Sequence, residues 1–525
     1  MDSPMEGAAK IRWNAWEPAV FERARTGGKL VFLDISATWC HWCHVLDRTS
    51  LSDPRVVALL NDSFLPVRVD TDRRPDINER YNQGGWPTTA VLLPDGRLLT
   101  GATYLPPDDL LEVLSRCADF YRRDRDRIER RPEESAQTAG GSPEQEGVAP
   151  AGRPGPADLS LVGHAVLARF DPAHPGFFRE PKFLMPDILA FLRDAWLLDG
   201  NREMGDTLLS VLRTMGDSGV YDHVAGGFFR YATRRDWTVP HYEKLLVDNA
   251  EMLALYASCF GRSEDPRFSR VSESLLDFLF GTLHDRETGA FFSSQDADEE
   301  YYGLPAVERA LRLPPAVDRT IISEYNARAV SALVAAHAAF GSRPSGGREA
   351  GALLAGAERL GRYLRDVLWS PEEGQIRFRD GGGAEAGHLA DNVAAATAHL
   401  DLWEATGKDA YLDIAGEILD WTVRRFYSAG ASGFLDRRPR EGDPASMGGP
   451  VVPFGANARA ACALIRCGRE AARTDLFALA GEVLGGLSAA FEERAAFAAP
   501  YGSALLLYRR GSRGIACRAD DASCG

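Results

Sequence analysis

The stretch Ala37-Thr38-Trp39-Cys40-His41-Trp42-Cys43-His44 places two cysteines and two histidines close together in the chain. Three chemistries use such a pattern: a redox-active dithiol, a covalently attached haem and a zinc knuckle. The segments on either side of the stretch discriminate between these chemistries, and they also decide the fold of this part of the chain.

A short apolar run precedes the stretch and a helix-compatible segment follows it. Residues 29–35 read Lys-Leu-Val-Phe-Leu-Asp-Ile, which is typical of a strand buried on both faces, and residues 45–48 suit a helix. A redox dithiol needs one thiol at a helix N-terminus, where the helix dipole favours the thiolate, and a second thiol one turn later. The spacing therefore predicts that Cys40 attacks a disulfide and that Cys43 resolves the mixed disulfide.

Three further residues fit the same chemistry. Asp34, in the predicted strand, is a carboxylate that would move protons for Cys43. Pro87 stands just before a later strand, where a cis-proline would face the disulfide and shape the substrate groove. His41, between the two cysteines, would lower the pKa of the Cys40 thiol from about 8.5 and make the couple more oxidising.

The haem and zinc alternatives suit this context less well. Haem attachment usually takes place outside the cytoplasm and does not match a strand–helix context. A zinc knuckle would need Cys40, His41, Cys43 and His44 of one helical turn to converge on one tetrahedral centre, and the sequence has no second Cys-x-x-Cys motif. An inert cysteine pair is the remaining alternative. We expect neither a metal nor a cofactor, and the role of His44 is unassigned.

Charge and apolar patterning predict a cytoplasmic protein whose partners are neither nucleic acids nor membranes. The 525-residue chain carries a formal net charge of −15, which disfavours binding to polyanions. The N-terminus lacks the basic and apolar regions of a secretory signal, and no apolar tract is long enough to span a bilayer. Because cytoplasmic thiols are kept reduced, the dithiol is expected to react with a protein thiol or disulfide partner rather than to act as a structural cross-link.

A segment rich in Pro, Gly, Glu and Ser divides the chain. Residues 1–130 read as an α/β thioredoxin-like domain, with strands at 29–35, 64–70, 89–93 and 97–100 and helices at 53–61 and 107–127. Residues 131–157 are the predicted linker, and residues 158–510 are a helical domain. Residues 511–525 read as a tail, in which Cys517 and Cys524 either pair on oxidation or belong to a frayed terminus.

Gly-aromatic phrases recur through the helical region, marked by glycines at 176, 227, 289, 374, 433 and, more weakly, 502. Each interval holds two helices and a short turn, and a long repeat of this kind indicates stacked helical hairpins. Six hairpins would close an all-α (α/α)6 toroid. Polar residues beside the phrases are the candidate ligand-binding residues of a central funnel: Asp222, His241, Glu243, Asp248, Asp296 and Asp298. The alternative is that these residues cap helices, close turns or pair on helix surfaces.

Motifs in both regions resemble a known family. Around the cysteines the sequence is similar to thioredoxin. More narrowly, WCHWCH at residues 39–44, VDTDRRPDI at 69–77 and GGWP at 84–87 resemble the spermatogenesis-associated thioredoxin-domain family. The similarity continues in EPKF at 180–183, GGFFRY at 226–231, WTVPHYEKLLVDNA at 237–250 and FSSQDAD at 292–298.

The resemblance implies a thioredoxin-like domain joined to a six-hairpin glycosidase-like toroid. Related toroids hydrolyse or epimerise sugars, so a small carbohydrate-like ligand is a second expected partner by analogy. The leading hypothesis is a thiol–disulfide oxidoreductase. One alternative is a carbohydrate-active hydrolase or epimerase with a regulatory thioredoxin domain, and another is a non-catalytic redox-sensing binding protein. The sequence departs from the family pattern: a shorter loop between Tyr81 and Gly84 bears on the face presented to a partner, and Tyr325-Asn326 in place of Trp-Asn bears on the toroid activity.

Overall fold

The computed structural model describes residues 8–129, 156–341, 350–380, 383–437, 443–444, 447, 449 and 451–519. The chain divides into two compact units. The first comprises Met1–Glu146 and Arg437–Val451, and the second comprises Gly147–Asp436 and Val452–Gly525. Most of the predicted linker at residues 131–157 lies outside the described residues, as do Cys524 and the side chain of Cys517.

The first unit is built on a mixed four-stranded sheet of order β2-β1-β3-β4, in which β1 is parallel to β2 and antiparallel to β3. The strands are Leu30–Ser36 (β1), Phe64–Asp70 (β2), Thr88–Leu92 (β3) and Leu98–Ala102 (β4). The helices are Pro18–Gly27 (α1), His41–Arg48 (α2), Pro54–Ser63 (α3), Pro75–Tyr81 (α4) and Pro107–Glu129 (α5). These elements lie close to the bounds that the sequence predicts.

Local sequence explains where the elements begin and how the strands align. Helix α3 begins with a proline, and the Asp53 side chain caps it by accepting a hydrogen bond from the Arg55 amide at 2.8 Å. Strand β1 is buried except at Ser36, and Asp34 is its one charged residue. The strand register places Asp34 of β1 opposite Arg68 of β2 and Thr89 of β3, so one carboxyl group lies at the centre of the sheet.

Residues 437–451 belong to the first unit, although the chain reaches them from the toroid. Arg437 pairs with Asp443 at 2.7 Å and with Asp76 of α4 at 3.3 Å. Met447 is buried in the same apolar cluster as Ile77 and Tyr81 of α4. The predicted boundaries, which end the first domain at residue 130, did not anticipate this segment.

The second unit is helical, with short strands between the helices. The helices are Pro156–Leu167 (α6), Pro186–Asp199 (α7), Arg202–Gly216 (α8), Leu246–Ser263 (α9), Pro266–Phe278 (α10), Glu299–Tyr302 (α11), Ala306–Arg309 (α12), Ser323–Phe340 (α13), Ala350–Asp366 (α14), Leu389–Thr406 (α15), Asp409–Phe426 (α16), Phe454–Glu470 (α17), Thr474–Leu487 (α18), Phe491–Arg494 (α19) and Ala499–Ala519 (α20). The strands are Lys182–Phe183 (β5), Tyr231–Ala232 (β6), Pro240–His241 (β7), Lys244–Leu245 (β8), Ser294–Gln295 (β9), Val317–Asp318 (β10), Trp369–Ser370 (β11), Gly374–Asp380 (β12), Gly383–Ala386 (β13), Tyr427–Ser428 (β14) and Gly433–Phe434 (β15).

Six inner helices close a ring, which confirms the predicted toroid. Helices α7, α9, α13, α15, α17 and α20 pack in this order, and α20 packs back against α7. The outer helices α8, α10, α14, α16 and α18 each follow an inner helix, whereas α6 packs on α20. The sixth hairpin is therefore made from both ends of the unit. This is why Gly502, the weak sixth marker, lies within α20 rather than in a turn, and α20 continues to Ala519 through much of the predicted tail.

A buried asparagine near the start of four inner helices fixes the Gly-aromatic phrases. Asn326 accepts the Phe291 amide at 2.7 Å and donates to the carbonyls of Phe291 and Ile322. Asn249 and Asn457 make the same three bonds to their own phrases, and Asn392 accepts from Gln375 at 3.0 Å. The repeated phrase and its asparagine thus form one structural device.

None of the described helices is by itself long and apolar enough to cross a membrane. The segments Thr474–Leu487 and Phe491–Gly511 reach that length and composition only together, across a bend of 67°.

Candidate functional site

The two cysteines of the opening stretch lie where β1 gives way to α2. Cys40 is the N-cap residue of α2, and its sulfur accepts a hydrogen bond from the Cys43 amide at 3.2 Å. The two residues are joined by a disulfide with their Cα atoms 5.3 Å apart, and both are buried. A helix N-terminus stabilises negative charge, so this position favours the thiolate of Cys40 when the pair is reduced.

Tryptophans adjacent to the cysteines in the chain contact further aromatic side chains, one of which precedes a cis-proline. The peptide bond between Trp86 and Pro87 is cis, in the position that the sequence suggested. Trp39 donates its indole N–H to Asp72 at 2.8 Å, and its ring meets that of Trp86 edge-on at 5.8 Å. Trp42 lies between the cysteines, is 44% exposed and packs on Tyr104 at 5.3 Å.

Histidines adjoin both cysteines. His41 occupies the first turn of α2 and is half-buried, with its ring 6.1 Å from that of Trp42. His44 is also half-buried, one position after Cys43. Within the described ranges no group of three or more His, Cys, Asp or Glu side chains has the geometry of a metal site.

Asp34 is buried in β1, the strand that precedes α2, and belongs to a charged cluster. One carboxylate oxygen accepts from Arg68 Nε at 2.7 Å, and the other has no hydrogen-bond partner among the described residues. Arg68 also binds Asp47 of α2, the helix that holds Cys43, and its guanidinium lies 4.3 Å from the Trp13 ring. Burial raises the pKa of Asp34, and the charge of Arg68 opposes that rise.

Arg68 and Asp47 were not predicted from the sequence. The available signal is an arginine in the middle of the apolar strand Phe64–Asp70. A charge in such a strand needs a partner, and the only carboxyl group predicted within the neighbouring strand is Asp34.

Among the toroid candidates, Asp222 is committed to a buried ion-pair cluster. It accepts from Lys244 Nζ at 2.7 Å and from Arg309 Nη1 at 2.8 Å. Burial opposes ionisation of Asp222, but these two cations outweigh it and lower the pKa of the carboxyl group. Burial also lowers the pKa of Lys244 to about 8. Asp222 thus closes a turn by accepting from the Val224 amide and neutralises two buried cations, Lys244 and Arg309.

Three of the other predicted toroid residues, His241, Glu243 and Asp248, lie near the start of α9. The remaining two, Asp296 and Asp298, lie between β9 and α11. His241 stacks on Tyr231 at 4.4 Å, with Nδ1 4.0 Å from the Glu243 carboxylate. Asp248 is in the first turn of α9. Asp296 accepts from the Ala297 amide at 2.8 Å, and Asp298 caps α11 by accepting from the Tyr301 amide at 2.8 Å. The bonds of Asp296 and Asp298 are those of turn and capping residues, and ligand binding by this group remains a prediction.

A cavity of about 410 Å³ opens between the inner helices of the toroid, and none of the six predicted residues lines it. Its charged lining residues come from α7, α9, α13, α15 and α17: Arg193, Glu251, Arg328, Asp401, Arg459 and Arg466. Sequence reasoning missed these residues because they are far apart in the chain. The Glu324–Arg328 spacing on α13 was the one local signal for this cluster.

Alternating charges connect the inner helices at this cavity. Arg328 of α13 binds Glu251 of α9. It also donates from Nη2 to Oε1 of Glu324 at 2.8 Å. Arg459 of α17 lies 3.7 Å from the same Glu251 oxygen. Burial raises the pKa of Glu251, with both guanidinium groups opposing the rise. Burial also opposes ionisation of Glu324, but Arg328 and Arg377 outweigh it and lower the pKa of that carboxyl group.

Comparison with known proteins supports both regions of the fold. Residues 5–139 match a family model described as Thioredox_DsbH, "Protein of unknown function, DUF255". Spermatogenesis-associated protein 20 of Homo sapiens and that of Mus musculus are each 32% identical to the chain over 311 residues, covering 55% of this chain and 39% of the relative. The chain thus spans about two fifths of the length of these curated relatives.

Solved structures resemble the helical unit. A sugar epimerase from a ruminal bacterium aligns with a TM-score of 0.52 and 12% identity, covering 68% of this chain and 99% of that chain. Cellobiose 2-epimerase from Spirochaeta thermophila aligns with a TM-score of 0.52 and 15% identity, covering 68% and 97%. These similarities establish the toroid fold, and the resemblance to the spermatogenesis-associated thioredoxin-domain family is confirmed.

Proposed function

We propose that the chain is a thiol–disulfide oxidoreductase whose first unit exchanges disulfides with a protein partner in a reducing, cytoplasmic compartment. The observation that carries the proposal is the position of Cys40 and Cys43 at the N-terminus of α2, near a cis-proline. Buried structural cysteines are inert, whereas a dithiol at a helix N-terminus has the environment of reactive pairs.

The exchange proceeds in two steps that conserve atoms and electrons. The Cys40 thiolate attacks one sulfur of the partner disulfide, forming a mixed disulfide and releasing the partner's other sulfur as a thiolate that takes up a proton. Cys43 then gives up its proton and attacks Cys40. The second partner thiol leaves, so the partner is reduced by two electrons and the Cys40–Cys43 disulfide is formed. The reverse sequence oxidises a partner dithiol.

Three residues assist these steps in the proposal. The Cys43 amide, which donates to the Cys40 sulfur, stabilises the attacking thiolate. Asp34 has a buried carboxylate oxygen without a partner among the described residues and a raised pKa, both of which suit a group that takes the Cys43 proton. His41 tunes the Cys40 thiolate, and Pro87 shapes the groove for the partner.

The test is trapping in the full chain with Cys43→Ser. This variant should hold partners as mixed disulfides through Cys40, whereas Cys40→Ser should hold none. Cys259→Ser, which removes a buried thiol of the toroid, is the matched control and should behave like the unmodified chain. If Cys43→Ser captures no more protein than Cys40→Ser, the proposal fails. The full chain is required because residues 437–451 are part of the first unit.

A second candidate function is favoured by the central cavity of the toroid. Glu251 and Arg328 line this cavity, and Glu324 binds Arg328. The two carboxyl groups have opposite pKa shifts, an arrangement suited to acid–base chemistry on a bound ligand. Two structural neighbours have titles that name sugar epimerases. We therefore propose, as the alternative, a carbohydrate-active hydrolase or epimerase in which the dithiol unit is regulatory.

Thermal stabilisation by sugars tests the second candidate. Cellobiose and D-mannose should raise the melting temperature of the toroid. Loss of the effect in Asp248→Asn or His241→Ala would place the ligand at the predicted loop residues near the start of α9, whereas an unchanged effect would place it in the cavity on the inner helices. If neither sugar shifts the melting temperature and trapping also fails, a non-catalytic redox-sensing protein is the remaining hypothesis.

A further inference from the structure

The wall of the toroid cavity combines small side chains with charged ones. Alanines from four inner helices, among them Ala254, Ala335, Ala394 and Ala456, line it together with the hydroxyl groups of Ser331 and Thr397. No aromatic residue is among the described residues that line it. The alanines leave the space open, so any ligand would be recognised mainly by the charged and hydroxyl groups.

Every guanidinium group at the cavity already has a carboxylate partner. Arg193 binds Asp194 at 2.8 Å, and Arg466 binds Asp401 at 2.6 Å and Glu404 at 2.9 Å. Arg328 binds both Glu251 and Glu324. Arg459 lies between Asp187 and Glu251.

This pairing decides which ligands the cavity can accept. An anionic ligand would find no unmatched guanidinium and would lie beside Glu251 and Asp401, and like-charge contacts of this kind are costly in a partly buried site. A paired guanidinium still has N–H groups to donate, and a paired carboxylate still has lone pairs to accept. A hydroxyl group can use both, because it donates and accepts.

We propose that this cavity binds an uncharged polyhydroxylated small molecule, such as a neutral mono- or disaccharide, and excludes its anionic derivatives. The proposal rests on the second candidate function and narrows it to a ligand class and to a site on the inner helices. A volume of about 410 Å³ lies within the range of small-molecule pockets.

Isothermal titration calorimetry on the full chain provides the test. The probes are cellobiose and D-mannose as neutral ligands, and D-glucuronate and D-mannose 6-phosphate as anionic ones. At least one neutral sugar should bind, and each anionic sugar should bind at least tenfold more weakly than that neutral sugar. Tighter binding of an anionic sugar than of either neutral one would overturn the proposal.

Glu251→Gln tests the role of the paired charges. The substitution removes one negative charge but keeps the shape of the side chain, so Arg328 and Arg459 each lose one of their two carboxylate partners and an anionic ligand meets one like charge fewer. The affinity for D-mannose 6-phosphate should rise relative to that for the neutral sugars, which narrows the preference. Glu417→Gln, on the exposed side of α16, is the matched control and should leave both affinities unchanged.

Ala394→Leu gives an answer even if Glu251→Gln disturbs the fold. A leucine on the inner face of α15 fills the cavity without altering any charge, and it should abolish sugar binding while the melting temperature stays near that of the unmodified chain. If neutral sugars bind Glu251→Gln and Ala394→Leu with unchanged affinity, the sugar site lies outside this cavity. The proposal about the cavity then fails, while the second candidate function stands. If no neutral sugar binds the unmodified chain, this inference and the second candidate function both fail, while trapping by Cys43→Ser remains independent of either.

Discussion

Arg68 holds together the charged cluster that links β1 to α2, so Arg68→Met should destabilise the first unit in a pH-dependent way. The guanidinium group neutralises two carboxylates at once, Asp34 of β1 and Asp47 of α2. The Asp34 side chain is 1% exposed and that of Asp47 is 10% exposed, so neither can recover its hydration when the arginine is lost. Methionine fills much of the same volume, and the variant therefore isolates the effect of charge.

The expected loss is about 3–5 kcal/mol near neutral pH, the cost of removing one partner from a buried ion pair. The sign of the pH dependence follows from Asp34. Burial already raises its pKa, and without Arg68 nothing opposes that rise. Between the unfolded carboxyl pKa of about 3.9 and the raised folded value, the folded state binds more protons, so stability falls as pH increases. The deficit relative to the unmodified chain should thus be smaller at pH 5 than at pH 8.

Hydrogen exchange of peptides covering β1 measures this stability separately from that of the toroid. The predicted loss corresponds to exchange faster by roughly two to four orders of magnitude, since about 1.4 kcal/mol is a factor of ten. Asp34→Asn in the Arg68→Met background should recover part of the loss. Arg55→Met, which removes an arginine that is 57% exposed from pairs with Asp53 and Asp108, is the control and should leave the exchange rates close to those of the unmodified chain. A loss as small as that control, or one that is equal at pH 5 and pH 8, would refute the reasoning.

Four further outcomes are expected. Asn326→Ala leaves the peptide groups of Phe291 unsatisfied and should cost the toroid at least about 2 kcal/mol in urea unfolding. Asp222→Asn should cost about 3–5 kcal/mol by the same measurement. That loss should ease as pH rises toward about 8, because Asp222 holds up the already lowered pKa of Lys244, and without Asp222 the folded variant releases the Lys244 proton at a lower pH than the unmodified chain. Met447→Ala should destabilise the first unit by about 2–5 kcal/mol, seen as faster exchange in α4 peptides with the toroid unchanged. Finally, equilibration with glutathione should give the dithiol a potential above about −270 mV, and a value at or below the thioredoxin potential would contradict the tuning role of His41.

The sequence predicted the dithiol region well because its signals are local. An apolar run, two cysteines at helical spacing and a proline before a strand each specify a conformation within a few residues. The cluster of Arg68 and Asp47 was missed because its members come from a strand and a helix that meet only in the folded unit. Residues 437–451 were missed for the same reason, since nothing in their composition indicates that Met447 completes a core formed by the N-terminal unit.

The toroid was predicted from its sequence repeats, and the structure departs from the prediction at the sixth hairpin, where the repeat is lost. The Gly-aromatic phrases identify the hairpins because they need residues of positive φ. Gly226, for example, has φ of 74°, and a Cβ there would lie 2.5 Å from the Ser274 carbonyl oxygen. The asparagines that bind these phrases have the same long period and were available as a signal. The sixth hairpin has no such phrase because α6 and α20 are joined by packing rather than by a turn.

The predicted toroid residues and the residues that line the cavity differ in whether the fold itself gives them a hydrogen-bonding role. A polar residue next to a tight turn has backbone amides within reach, so capping and turn closure use it whether or not a ligand exists, as Asp296 and Asp298 illustrate. A charged residue on the inner face of a buried helix has no such use, and each one must find an opposite charge on a neighbouring helix. Replacing such pairs with apolar residues of similar volume is often neutral or stabilising, so stability alone gives little reason to keep them. The charges around the toroid cavity are therefore better explained by what enters the cavity than by what holds the helices together.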